Sequence, residues 1–440
     1  MKLEVRLDPG TKVLGRTLLG GAPLRVLRLS EPGARIVREW RHGAVVTTPQ
    51  QRKLADRLID AGMAHPLYGE THLTRADVTV VVPARDPEAL PPGADVVVDD
   101  GSRTPISVAA ERHPVARGPA AARNTGLRHV RTELTAFLDA DTVPQPGWLD
   151  SLLPHFEDPQ VVAVGPRVRS APGSSVVERY EQARSSLDLG DGPGPVRPGA
   201  RVTYLPTAAL VVRTAAVREI GGFDERLRFG EDVDLVWRLV AQGGRVRFEP
   251  ASEVVHQPRK TWRAWAKQRF DYGTSAAPLA KRHGHKAIAP LKISGWTALA
   301  WALAAVRKPG LGAAVALGTA ALLPRKLRPV GVPPREALTL ALRGHLGAGR
   351  YLADVLTRTW GPVAMPLLAA TPRGRIVLAL ALARHLTEWR RLRPDLDPVR
   401  WLLARTADDF AYGAGVWRGC ARERTALPLV PDLSNWPGRK

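Results

Sequence analysis

Along the first 75 residues, short apolar runs are cut by Gly and Pro, and EVRLDPG, KVLG and RTLLGG are predicted as strand-and-turn pieces. Two helices follow. LSEPGARIVREW offers Ser30 as an N-cap and sets Ile36, Val37 and Trp40 on one face. TPQQRKLADRLIDAG has Thr48 as cap, Pro49 at the first helical position and Gln51 to complete a capping box. Leu54, Leu58 and Ile59 form its stripe, and Gly62 can end it. Residues 1–75 are therefore predicted as a small winged-helix-like domain.

Over residues 76–275 the pattern becomes strands alternating with helices. VTVVVPA, ADVVVDDGS, TELTAFLDAD and QVVAVGPRV are β-branched runs ended by turn residues, which predicts an α/β domain with a mostly parallel sheet covered on both faces. In such sheets ligands bind beyond the carboxyl ends of the strands. Arg85 with Asp86, Asp99 with Asp100, and Asp139 with Asp141 all fall at those ends.

Residues 276–440 are Arg-, Ala- and Leu-rich and predicted helical. IAPLKISGWTALAWALAAV and PGLGAAVALGTAALLP are apolar stretches split by Arg307, Lys308 and Pro309. A spanning helix needs about 20 apolar residues. A re-entrant or interfacial hairpin fits these stretches as well as two marginal spans do. Trp296 and Trp301 are near the apolar block, and a membrane-associated region is expected.

Composition sharpens this picture. The 440 residues carry a formal net charge of +22, which favours acidic partners: nucleic acid, anionic lipid headgroups or a nucleotide substrate. The one cysteine, Cys420, excludes an intrachain disulfide framework, and the N-terminal MKLEVRLD is charged rather than signal-like. A location on the cytoplasmic side of the cell membrane is expected.

The chemistry gathers in the middle domain. Strand side chains alternate faces, so Asp139 and Asp141 of LDAD leave on the same side. Two close carboxylates call for a cation, and a divalent metal, Mg or Mn, suits oxygen ligands. VVVDDGS ends a strand in acids that can accept from a nucleotide base or ribose; alone it is also an ordinary turn signal. AAARNTG places Arg123 where it can face a phosphate, although a surface arginine would look the same. GGFDERLRFGEDVDLVWRL crowds acids at a helix start, where capping accounts for some and Asp232 can serve as a general base. EVVHQPR leaves His256 at a strand end, a further metal ligand or a structural histidine.

In this order, DDGS, ARNxG, DxD, GGFDE with GED, and a strand-end His, the stretch from Val78 to Tyr272 resembles the family 2 glycosyltransferases. The resemblance implies a GT-A fold and inversion at the anomeric carbon. It implies that Asp100 contacts the nucleotide base, Asp139 the ribose, Asp141 and His256 the metal, and that Asp232 deprotonates the acceptor hydroxyl. Pro83 to Arg85 would frame the nucleotide, although PARD departs from the common pattern of Pro, a polar or aromatic residue, then Asn. WRAWAKQRFDYG is loosely similar to the Gln-x-x-Arg-Trp acceptor helix of processive members, with Gln268 and Arg269 adjacent and no Trp after them.

The head is similar to PqqD-like peptide-recognition domains, which bind a leader peptide by adding a strand to a sheet edge. Head, catalytic domain and basic tail together resemble the mycofactocin-system glycosyltransferases. That resemblance implies UDP-glucose as donor, a β-linked glucose and a peptide-derived redox cofactor as acceptor, with an oligosaccharide as a further product. A lipid-linked or cell-wall glycan is the rival acceptor. Two readings of another class are a peptide-presenting scaffold and a nucleic-acid-binding protein. Against the last, the central acids repel phosphate backbones, and the head has no clustered basic recognition helix, so no nucleic-acid partner is expected.

Overall fold

The computed structural model describes residues 3–433. In the head, strands β1 (Leu3–Leu7), β2 (Lys12–Leu14), β3 (Thr17–Gly20) and β4 (Arg25–Arg28) precede helix α1 (Glu31–Glu39). Strand β5 (Ala44–Val45), helix α2 (Pro49–Asp60) and strand β6 (Ala64–Tyr68) complete it. The strands make two small antiparallel sheets, β5-β1-β6 and β2-β3-β4. Both helix starts are capped as their sequences predict: Ser30 accepts from the Gly33 N–H, and Thr48 with Gln51 forms a capping box. Leu3, Val5, Val37, Trp40, Leu58 and Met63 close a core of the head's own.

The central domain is one nine-stranded sheet. Its strands are β7 (Val78–Ala84), β8 (Val96–Asp99), β9 (Glu111–Arg112), β10 (Leu134–Leu138), β11 (Thr142–Pro144), β12 (Val161–Ser170), β13 (Gly194–Pro195), β14 (Ala209–Arg213) and β15 (Arg245–His256). The order is β11-β15-β12-β14-β10-β7-β8-β9, with β13 beside β15. The sheet is mixed, which corrects the mostly parallel expectation: β14 runs antiparallel to both β10 and β12. Side chains alternate across it. Val81, Phe137 and Leu210 pack into one core, Val80, Val82, Ala136 and Leu138 into the other, so both faces are covered. Helices α3 (Pro119–His129), α4 (Val176–Arg184), α5 (Thr214–Glu219) and α6 (Glu231–Ala241) belong to this domain.

Helices α7 (Trp262–Thr274), α8 (Ala276–His283), α9 (His285–Ile288), α10 (Gly295–Ala305), α11 (Pro309–Leu327), α12 (Pro334–Asp354), α13 (Gly361–Ala369), α14 (Pro372–Leu392) and α15 (Pro398–Glu423) form the rest. Among the described residues no helix is long and apolar enough to cross a membrane. Helix α11 folds back on α10, with Gly312 against the Ala300 carbonyl.

The three parts are tied together by charge and by small residues. Arg245 of β15 donates to Asp60 at 2.9 Å and to Asp56 and Asp158 at 3.0 Å, joining head to sheet. Lys12 pairs with Glu336 at 2.6 Å, joining head to C-terminal helices. Helix α15 lies on α7 at backbone contact: a methyl at Gly273 would strike the Tyr412 carbonyl, and one at Gly415 the Phe270 carbonyl.

Candidate active site

Residues at or just beyond the ends of strands β7, β8 and β10 open onto one large cavity of about 1870 Å³. Typical small-ligand sites occupy roughly 300–1,000 Å³, so this one has room for two substrates. Pro83, Arg85, Asp100, Arg123, Asp139, Asp141, Asp232, His256, Gln268 and Arg269 all line it. Sequence motifs up to 186 positions apart, from Pro83 to Arg269, therefore share one space.

The acids of β8 divide their work. Asp99 is buried and accepts from the Ser102 and Ile106 N–H groups, which fixes the DDGS turn. Burial opposes its charge, but those hydrogen bonds hold the carboxyl below its usual range. Asp100 accepts from His113 Nδ1 at 2.7 Å and from the Arg117 and Gly118 N–H groups at 2.8 Å. It thereby shapes the loop that starts α3 at the cavity wall.

Each acid of LDAD meets cationic side chains of its own. Asp139 accepts from Arg123 at 2.7 Å, and Arg123 also donates to Glu231 at 2.9 Å. Arg123 is buried at the cavity wall, and both terminal nitrogens go to carboxylates, so it ties acids together. Burial works against its charge, yet Asp139 and Glu231 raise its pKa above the ordinary arginine value. Asp141 lies 3.5 Å from His256 Nε2 and 3.4 Å from Arg259. The β11–β15 register, Thr142 opposite His256, makes that meeting. Burial favours the neutral acid, but the His256 hydrogen bond and the charges of His256 and Arg259 hold Asp141 below the usual carboxylate range.

At the start of α6, Gly230 takes φ +78, and any Cβ there would press on Ser275. The turn sends three acids in three directions. Glu231 goes to Arg123. Asp234 is buried against Arg238 at 2.7 Å and His283 at 2.8 Å, an anchor rather than a reagent. Asp232 accepts only the Val233 N–H at 2.8 Å among the described residues. Burial first, and the charge of Glu231 second, push its carboxyl up to about 7. A half-buried carboxylate poised near neutrality in a cavity is suited to proton abstraction.

Of the two candidate acceptor residues on α7, Gln268 is half-buried at the cavity, whereas Arg269 is enclosed. Arg269 pairs with Glu181 and with Asp408 at 3.3 Å and donates to Ser186 at 2.6 Å. It is a structural strut whose edge reaches the wall. Among the cavity residues that carried no local sequence signal are Tyr204, Arg358 and Tyr412. Arg259 did carry one, three residues beyond His256 in VVHQPR.

A sheet-end cavity with a paired DxD, a strand-end His and a helix-start acid near neutral pKa defines a glycosyltransferase-type α/β domain. The family model described as "Glycosyltransferase like family 2" matches residues 41–271, and the chain belongs to that family. It is 40% identical over 464 aligned residues to the pre-mycofactocin glycosyltransferases of two Mycobacterium tuberculosis strains, covering 98% of this chain and 97% of those proteins. It is also 34% identical over 134 residues to an N-acetylglucosaminyl-diphospho-decaprenol L-rhamnosyltransferase of M. tuberculosis, covering 25% of this chain and 42% of that one. Among solved structures, a Pyrobaculum calidifontis mannosyltransferase in complex with GDP-Man and Mn2+ aligns over 78% of this chain and 87% of its own, at 18% identity and a TM-score of 0.42.

Proposed function

We propose that this protein is an inverting glycosyltransferase that transfers glucose from UDP-glucose, in β linkage, to pre-mycofactocin, a peptide-derived redox cofactor precursor, and can extend the product to an oligosaccharide. The observation that carries the chemistry is Asp232, with its carboxyl pushed up to about 7 in the same cavity as Asp139 and Asp141. The acceptor assignment is supported by 40% identity over 98% of the chain to the pre-mycofactocin glycosyltransferases.

Asp100 and Pro83 to Arg85 meet the nucleotide base, and Asp139 takes the ribose. Arg123 holds Asp139 in place for this at 2.7 Å. The acceptor hydroxyl attacks the sugar C1 from the face opposite the diphosphate, and Asp232 takes its proton. Ionised above about pH 7, Asp232 has a basicity matched to that task.

A divalent ion fits the residues present only in part. Asp141 and His256 approach within 3.5 Å and supply a carboxylate and an imidazole. Among the described residues no group of three or more His, Cys, Asp or Glu could hold a metal ion. Asp141 and His256 would be the residues that hold such an ion. When bound there, Mg or Mn would offset charge on the departing diphosphate. Arg259, 3.4 Å from Asp141, adds fixed positive charge to the same end of the cavity.

The head would recognise peptide, and the tail would rest on an anionic membrane on its cytoplasmic side. The tail's placement is supported by Leu311, Leu317, Leu322, Leu346, Leu367 and Leu380, each more than half exposed in a chain of net charge +22. The same exposed leucines favour a second reading, in which the acceptor is a lipid-linked or cell-wall glycan. Mass spectrometry of a deletion strain separates the two. Accumulation of the unglycosylated cofactor supports the first reading, and accumulation of a truncated lipid-linked glycan replaces it with the second.

A further inference from the structure

The family match ends at residue 271, yet the cavity does not. Arg358, Glu388, Asp408 and Tyr412 continue its lining from far along the chain. Their placement is built, not incidental. Asp408 is buried and accepts from Tyr180 at 2.8 Å and Arg184 at 3.0 Å, with Arg358 at 3.6 Å. Arg358 also pairs with Asp409 at 3.1 Å, and its guanidinium lies 3.8 Å from the Tyr412 ring centre. The glycine seam that presses α15 on α7 sets Tyr412 beside the helix that carries Tyr272. Methyl groups at Gly273 and Gly413 would strike the carbonyls of Tyr412 and Arg358, so wall and seam share backbone atoms.

Three phenols thus reach the cavity from three segments: Tyr204 from the loop before β14, Tyr272 from α7 and Tyr412 from α15. Burial raises the pKa of both Tyr204 and Tyr272, and the Asp232 carboxylate raises each further, so both lie within the field of the candidate base. Both stay protonated and line the same cavity as the candidate base, with the Tyr204 hydroxyl 3.5 Å from the Ser186 carbonyl oxygen. Tyr204 also feels Tyr412 and Arg358. Three phenol side chains lining one cavity suit a ligand of the same kind, flat or chair-shaped with an apolar face and a hydroxyl rim.

We propose that Tyr412 and Arg358, together with Tyr204 and Tyr272, form the acceptor subsite for a hydroxylated ring, so that the C-terminal helices, outside the family match, select the acceptor. The inference rests on the proposed transfer reaction for its meaning, but its test does not need turnover. The ring is either an aryl alcohol or a pyranose, and the probes separate the two.

Binding of p-cresol and of cellobiose to the full-length protein with UDP present is measured by saturation-transfer NMR titration. At least one probe binds the wild type, p-cresol marking an aryl acceptor and cellobiose a sugar. Tyr412→Ala weakens that probe about tenfold, while Tyr412→Phe, which keeps the ring, stays within about threefold. If Tyr412→Ala fails to fold, Tyr412→Leu, which keeps the bulk but loses the ring, shows the same loss. Neither probe binding the wild type, or an alanine or leucine variant binding as well as the wild type, overturns the proposal. Failure of UDP-glucose turnover with ring binding intact contradicts the transfer reaction and leaves the ring subsite standing.

Discussion

Arg123 donates to Asp139 at 2.7 Å from one terminal nitrogen and to Glu231 at 2.9 Å from the other. One buried guanidinium thus links the LDAD turn, on the proposed donor side, to the first acid of GED, beside the proposed base. Arg123→Gln would leave two carboxylates without their cation. Breaking a buried pair costs about 3–5 kcal/mol, and the thermal midpoint should fall accordingly. Because Arg123 also lowers the Asp232 pKa, the acid limb of the rate profile should move to higher pH. A midpoint unchanged in calorimetry would contradict the linking role.

Asp232 predicts a pH dependence. As a base with its carboxyl near 7, it must be ionised to act, so kcat/KM should rise with pH and level off above about 7. Glu231→Gln removes the charge that helps raise it, and the rise should begin at lower pH.

The same group affects stability with a definite sign. Its folded value, about 7, lies above the ordinary 3.8, so the folded state binds the proton more tightly. That favourable contribution is fully present below the unfolded value and is lost as pH rises through the folded one. Asp232→Asn should therefore melt higher than wild type at pH 8, and the advantage should vanish near pH 3. Melting curves at the two pH values check it.

The α7–α15 seam predicts a packing effect. Gly415→Ala places a methyl on the Phe270 carbonyl and pushes the helices apart. Overpacking of this kind costs about 1–3 kcal/mol, which denaturant titration resolves. Gly310→Ala, where an added Cβ meets nothing within 4 Å, should be close to neutral.

Much of the fold was legible because its signals are local. Thr48 and Gln51 cap their helix as their spacing predicts, and the four β-branched runs are strands β7, β8, β10 and β12. Strand direction was not legible: ALVVR of β14 has the same apolar pattern whichever way it runs, and only its partners make the sheet mixed. The site divides in the same way. Asp139, Asp141, Asp232 and His256 stand at strand and helix ends that motifs mark. Arg123 was visible as a residue, but its partners at Asp139 and Glu231 were not. Tyr412 lies in α15 and Arg358 in the turn between α12 and α13, in a region whose pattern is only Arg-rich and apolar, and they reach the cavity through glycine contacts that no local spacing encodes.

The Asp141–His256 pair makes its own prediction. Asp141→Asn should slow turnover on the order of 100-fold and weaken the response to added Mn2+. His256→Gln should raise the Mn2+ concentration needed for half-maximal rate. Equal metal response in wild type and both variants would remove the pair from any metal role.

The central claim is that one cavity binds a sugar nucleotide and that Asp232 activates the acceptor within it. The most direct measurement is UDP release from UDP-glucose by the purified protein, with and without pre-mycofactocin, in Mn2+ or EDTA, for wild type and Asp232→Asn. The account predicts metal-dependent release that the acceptor accelerates in the wild type, and little acceleration in Asp232→Asn although UDP-glucose still binds. Equal acceptor acceleration in both proteins would contradict it.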